Sequence, residues 1–148
     1  MTALAAAKPG GRIAEIGTAF GEGTKAIIAG LTAGSTLVTV EPDPDRYDFA
    51  CEVLAGTPAE ILNARWEDVL PDRGPFDLVF FDGGTRDGTL DLVVTLLAPG
   101  GILVKDDLVP GRPISGDPVR EAFLTDTRLA AVELLVSSEM ALIVAVRV

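Results

Sequence analysis

Apolar residues along this chain fall into short runs set off by glycine, proline and acidic residues. The runs Leu78-Val79-Phe80-Phe81 and Ile102-Leu103-Val104 do not alternate with polar residues. Such runs suit parallel strands covered on both faces. The pattern predicts strands at residues 12–16, 36–41, 60–63, 77–82, 101–105, 130–136 and 141–147. Between them it predicts helices at 23–31, 44–54, 88–97 and 118–124. Gly10-Gly11, Pro99-Gly100-Gly101 and Pro110-Gly111 read as turns. Only Ser137-Ser138-Glu139-Met140 separates the last two strands, so they should form an antiparallel hairpin. The expected fold is α/β: a doubly wound, mostly parallel seven-stranded sheet that ends in that hairpin.

Length and composition narrow the function. The 148 residues suit a single domain over 1–148, with no repeat, linker or low-complexity segment. A hydrophobic share of 48% rules out a disordered chain, and no apolar run is long enough to span a bilayer. Residues 1–9 are too short for a signal peptide and carry no basic leader. The lone Cys51 forbids an internal disulfide, which fits a cytoplasmic setting, and it reads as a small packed hydrophobe. A formal net charge of −10 repels phosphate backbones, so no nucleic-acid partner is expected. The chain contains no histidine. That removes the usual general base and every Ser-His-Asp or Cys-His triad. Any metal site must use oxygen ligands, favouring magnesium, calcium or manganese.

The stretch Glu15-Ile16-Gly17-Thr18-Ala19-Phe20-Gly21-Glu22-Gly23 is a glycine-rich turn between a predicted strand and helix. The next strand ends on Glu41. Strand, tight loop, helix and a strand tipped by an acid form a nucleoside-holding arrangement: the backbone approaches the ligand and the acid grips ribose hydroxyls. A nicotinamide fingerprint would need glycine where Ala19 stands, and the order Gly21-Glu22-Gly23-Thr24-Lys25 is not a phosphate-binding P-loop. Glu22 sits where a pyrophosphate would lie and would repel it. S-adenosylmethionine, with a ribose and an adenine but no phosphate, fits. A plain tight turn is the alternative.

Three further acids end strands: Asp82, Asp106 and Asp107. Carboxylates at the carboxyl ends of neighbouring parallel strands converge on one crevice, and a divalent cation would relieve their repulsion. The alternative is helix caps and solvated loop ends. Asp43 and Asp45 read as caps of the following helix. Trp66 either stacks on a flat base or covers the core.

Four segments, 13–23, 38–43, 76–83 and 97–112, together resemble class I S-adenosylmethionine-dependent methyltransferases. More narrowly, they resemble the small-molecule O-methyltransferases related to catechol and caffeoyl-coenzyme A O-methyltransferase. Phe76-Asp77-Leu78-Val79-Phe80-Phe81-Asp82 and the run from Pro99 through Lys105-Asp106-Asp107 to Arg112 are the more specific of these. The resemblance implies a Rossmann-like domain that transfers a methyl group to an oxygen of a small-molecule acceptor. It implies that Glu15, Gly17, Phe20, Gly21 and Gly23 surround the methionine part of the cofactor, that Glu41 holds the ribose, and that Ala64, Arg65 and Trp66 lie near the adenine. Asp82, also counted beside the cofactor, falls with Asp106 and Asp107 on the family's metal-ligand positions, for Mg2+ or another oxygen-ligated divalent cation. Asp107 replaces the asparagine usual there.

Asp82 and Asp107 are the expected catalytic residues, and with the family's lysine gone Asp107 or a metal-bound water is expected to take the acceptor's proton. The family's lysine base, three residues after the first metal aspartate, is Thr85 here, and Arg86 stays protonated. Lys105 ranks lower as a base because strand alternation should turn it away from Asp106. The family's pocket-walling aromatic is replaced around Pro110, and its N-terminal lid helices are absent. A pocket with so little cover raises the expectation of a homodimer. Two rival readings stand beside this one. One is a non-catalytic S-adenosylmethionine-binding protein or partner subunit. The other is a nicotinamide-dependent oxidoreductase, which Ala19 and Glu22 oppose.

Overall fold

The computed structural model describes residues 1–84 and 88–148. In chain order the elements are α1 (Thr2–Ala6), β1 (Arg12–Ile16), α2 (Glu22–Ile28), β2 (Thr36–Val40), α3 (Pro44–Val53) and β3 (Ala59–Leu62). There follow α4 (Trp66–Val69), a 3-10 turn (Pro71–Arg73), β4 (Phe76–Phe81), α5 (Thr89–Leu96), β5 (Leu97–Leu108), α6 (Pro118–Thr125), β6 (Leu129–Leu135) and β7 (Ala141–Arg147). The seven strands form one sheet in the order β3-β2-β1-β4-β5-β7-β6. The first five pair in parallel, and β7 pairs antiparallel with both β5 and β6. This is the mostly parallel α/β sheet with a final hairpin that the periodicity predicts, and the Rossmann-like architecture that the resemblance implies.

The apolar strands divide their side chains between two cores. Ile13, Leu78, Phe80 and Val104 face one side, where they meet Ala5 of α1 and Ile27 of α2. Ala14, Ile16, Val79, Phe81 and Leu103 face the other, against Trp66, Val93, Leu96 and Phe123. Both faces being covered explains why these strands lack polar alternation. Asp43 caps α3 by accepting from the backbone N–H of Asp45 and Arg46, both at 3.0 Å, and Pro44 opens the helix. Asp45 lies inside the first turn rather than at the cap. Asp117 and Pro118 start α6 in the same way.

Two predicted boundaries move for a physical reason. The Pro99-Gly100-Gly101 turn lies inside β5, because Phe76 pairs with Leu97 while Leu78 pairs with Ile102, and the surplus residues bulge. At its far end β5 continues through Asp106 and Asp107 to Leu108, with a second irregularity against β7. The short helices α1 and α4 have too few turns to show a helical period in the sequence. Among the described residues no helix is long and apolar enough to cross a membrane.

The topology locates the site. The chain winds from β1 outward through β2 and β3, then returns to β4 on the other side of β1 and winds the opposite way. In open sheets the crevice at such a reversal, at the carboxyl ends of the strands, receives ligands.

Candidate functional site

A groove of about 340 Å³ opens at this reversal. It is walled by Ile16 and Gly17 at the end of β1, Val40, Glu41 and Pro42 after β2, Arg46 of α3, Arg65, Trp66 and Glu67, and Asp82, Gly83 and Gly84 after β4. Gly17 is where the seam is tightest. Its φ is +96°, and a Cβ there would stand 2.3 Å from the carbonyl oxygen of Asp82. Its N–H donates to Val40 O at 3.0 Å, while the Asp82 N–H donates to Ile16 O at 2.9 Å. The glycine therefore lets three strand ends converge.

Glu41 lines the groove yet is only 4% exposed. Its carboxylate accepts from the N–H of Ala19 at 2.9 Å and of Asp43 at 3.0 Å, and each oxygen keeps lone-pair capacity for a ligand hydroxyl. Asn63 steadies the strand end by donating to Glu41 O at 2.9 Å. Ala19 has a φ of +45°, so the loop takes a glycine-like conformation with alanine in place, fastened by Glu41. Trp66 packs on Phe81 at 5.9 Å and also walls the groove.

The expected binding residues thus separate. Gly17, Glu41, Arg65, Trp66 and Asp82 share the groove, whereas Glu15, Phe20, Gly21, Gly23 and Ala64 are not among its walls. Phe20 is exposed and stacks edge-to-face on Phe49 at 5.5 Å. Gly21 caps α2 with a φ of +83°. Ala64 packs on the core. Glu15 lies buried behind the loop, where a Cβ at Gly23 would come within 2.5 Å of its Oε1. Thr24 and Thr39 donate to Glu15 Oε2, the latter at 2.6 Å, and Thr18 donates in turn to Thr39 at 2.6 Å. Glu15 therefore shapes the loop from beneath. Arg46, Pro42 and Glu67 carry no motif signal, and only the fold brings them to the groove.

Burial pushes the Glu15 carboxyl up to about 7, against the pull of its Thr24 and Thr39 hydrogen bonds and with a smaller push from Asp82. In the unfolded chain the same group titrates near 4.5. Between these values the folded state holds a proton that the unfolded state has lost, so this group's contribution to stability falls as pH rises and is level above about 7. The span corresponds to about 3 kcal/mol. Denaturation midpoints measured across pH should show Glu15→Gln gaining on the wild type over this window, and parallel curves would contradict the assignment.

A second pocket, of about 280 Å³, shares Asp82, Gly83 and Gly84 with the groove and adds Lys105, Asp107, Leu108 and Val119. Burial and the charges of Asp107 and Asp106 push the Asp82 carboxyl above its usual range, while Lys105 opposes them. The metal expectation for Asp82, Asp106 and Asp107 does not match this geometry. Among the described residues no group of three acidic, histidine or cysteine side chains is placed to hold a metal ion. The cause is local. Asp106 turns its carboxylate back to accept the Asp107 N–H at 2.8 Å, and Asp107 takes a left-handed φ of +62°. Lys105, ranked low from the sequence, is instead only 5% exposed and lines the pocket with Asp82 and Asp107. The described residues, taken by themselves, do not present a set that fits a divalent ion. Thr85 and Arg86 fall outside the described residues.

The methyltransferase domain family model matches residues 14–108, well over half of the chain. The chain belongs to the methyltransferase domain family. Its fold is that of the class I, S-adenosylmethionine-dependent members. The O-methyltransferase from Bacillus cereus, solved with S-adenosylhomocysteine, superposes with a TM-score of 0.81 at 24% identity, covering 99% of this chain and 78% of that one. The O-methyltransferase TomG from Streptomyces achromogenes, solved with S-adenosylmethionine, gives 0.81 at 25% identity, over 99% and 77%. A methyltransferase from Geobacter sulfurreducens gives 0.80 at 15% identity, over 99% and 75%. No curated protein matches by sequence. In this methyltransferase the groove and the second pocket meet at Asp82, Gly83 and Gly84, so anything bound in one abuts anything bound in the other.

Proposed function

We propose that this methyltransferase moves a methyl group from S-adenosylmethionine to an oxygen of a small molecule. The observation that carries the reading is the pair of pockets joined at Asp82, Gly83 and Gly84: a groove edged by the Glu41 carboxylate, and beside it a smaller pocket edged by carboxylates and a lysine. Solved relatives described as O-methyltransferases, with the cofactor or its demethylated product bound, support the choice of oxygen.

The groove fits the cofactor. Glu41 would accept the ribose hydroxyl protons, Gly17 would let the backbone approach, and Arg65 and Trp66 would flank the adenine. The cofactor supplies an electrophilic sulfonium methyl. The protein's share is mainly alignment, which converts an encounter into an in-line approach. Asp82 lies at the junction and positions the two partners. Asp107, exposed at the rim, is the carboxylate placed to take the acceptor's hydroxyl proton in a chain without histidine. No step is assigned to a metal, since among the described residues the acidic side chains do not gather into a ligand set.

Glu41→Ala should weaken cofactor binding by about 1–3 kcal/mol through lost charge-assisted hydrogen bonds. Isothermal titration of S-adenosylhomocysteine into both proteins measures this. Equal affinities would remove Glu41 from the ribose role.

A further inference from the structure

Lys105 is a buried basic side chain to which the reading above gives no task. The residue is 5% exposed, and among the described residues its Nζ makes one hydrogen bond, to Asp106 O at 2.6 Å. The ammonium also lies 5.1 Å from the centre of the Phe81 ring, a cation–π contact. Among the described residues no carboxylate comes within ion-pair distance of it. An ammonium has three N–H donors, and burying a charge with donors unused is costly unless something else receives them. Asp82 and Asp107 line the same pocket, and burial lowers the Lys105 pKa while those acids and Asp106 oppose the fall. Lys105 therefore lines the pocket next to the cofactor groove with hydrogen-bonding capacity to spare, where the metal-dependent pattern would put a divalent ion.

We infer that the Lys105 ammonium, and not a divalent ion, is the cation that receives the acceptor's reacting oxygen. The inference rests on the methyltransferase reading above and deepens it. An oxygen held on an ammonium is stabilised as the anion, so the acceptor class is one with an acidic hydroxyl, such as a phenol or enol, rather than an aliphatic alcohol. The step balances without a co-reactant. The O–H bond breaks with its proton going to the Asp107 carboxylate, the oxygen's electron pair forms the new O–CH3 bond, and the S–CH3 bond breaks with its pair left on sulfur as a neutral thioether. The ammonium is unchanged and releases a neutral ether, which it binds less well than the anion.

The test uses the full chain saturated with S-adenosylhomocysteine, so that no turnover occurs, and 4-nitrophenol and 4-nitrocatechol as probes. Their ionised forms are yellow and their neutral forms nearly colourless. At mildly acidic pH, with a chelator present, the wild type should develop the yellow band, the bound probe's pKa falling by about 1–3 beside the cation. Lys105→Met should bind the ionised probe at least about tenfold more weakly while its affinity for S-adenosylhomocysteine stays the same. Lys105→Arg, which keeps the charge, should restore part of the band, a rescue that a merely structural lysine would not give. Three results would overturn the inference: no band with either probe, a band unchanged in Lys105→Met, or a band that needs added Mg2+ and vanishes with the chelator. Failure to bind S-adenosylhomocysteine would instead strike the proposed function itself.

Discussion

Gly17→Ala is expected to close the cofactor groove and destabilise the sheet together. The new methyl would stand 2.3 Å from the Asp82 carbonyl oxygen, a backbone atom that cannot rotate away. The φ of +96° is also one that an L side chain rarely adopts. Backbone strain of about 1–3 kcal/mol and overpacking of similar size act on the same seam. Relief requires β1 and β4 to part at their carboxyl ends, where the Asp82 N–H bonds Ile16 O, and it disturbs the adjoining bond from Gly17 N–H to Val40 O of β2. Chemical denaturation should show a loss of several kcal/mol, on the order of 2–6 by the sum of the two effects, and calorimetry should show no S-adenosylhomocysteine binding. Wild-type affinity in Gly17→Ala would mean that the groove does not hold the ligand against this backbone.

Arg120→Met is expected to cost about 3 kcal/mol, the lower end for breaking a buried ion pair because both acidic partners retain some solvent. Arg120 is 1% exposed. Its guanidinium donates to Glu133 at 2.8 and 2.7 Å, to Asp117 at 2.6 Å and to Val109 O at 2.7 Å. One side chain thus ties α6, the edge strand β6 and the loop after β5 together. That loop leads from Asp107 and Leu108 into a cavity of about 370 Å³ lined by Arg112, Pro113 and Arg120 itself. The melting temperature should fall by about 10 °C. Arg120→Lys should recover little, since an ammonium cannot make the planar two-oxygen contact with Glu133. The same pairs hold the Asp117 and Glu133 carboxyls below their usual range, through Arg120. Their contribution is present at neutral pH and is lost as pH falls through those depressed values. A melting temperature unchanged by Arg120→Met would show that the network contributes nothing net.

The sheet was legible because its signal is dense. Continuous apolar runs, turns at regular spacing and a short final connection left few topologies, and β1 and β7 fall at the predicted residues. Glu41 was legible for the same reason, as an acid at a strand tip following a glycine loop. The acid cluster was harder. The resemblance puts Asp106 and Asp107 in one ligand set, whereas two successive side chains of a regular strand face opposite sides. Lys105 and Asp107 line the second pocket while Asp106 accepts the Asp107 N–H, and the left-handed φ of Asp107 with the break in register there is a local irregularity that no periodicity announces. Arg120 gave no signal, because its partner Glu133 lies beyond α6 and a buried arginine looks like a surface one in sequence. Glu15 was expected to face the cofactor. The Thr18, Thr24 and Thr39 hydroxyls that hold it beneath the loop come from three separate segments, and only the fold unites them.

The most direct test of the central claim is calorimetric titration of S-adenosylmethionine into the metal-stripped chain. Saturable binding in the presence of a chelator, weakened by Glu41→Ala and abolished by Gly17→Ala, is the predicted result. Absence of binding by the folded wild-type protein would contradict the account.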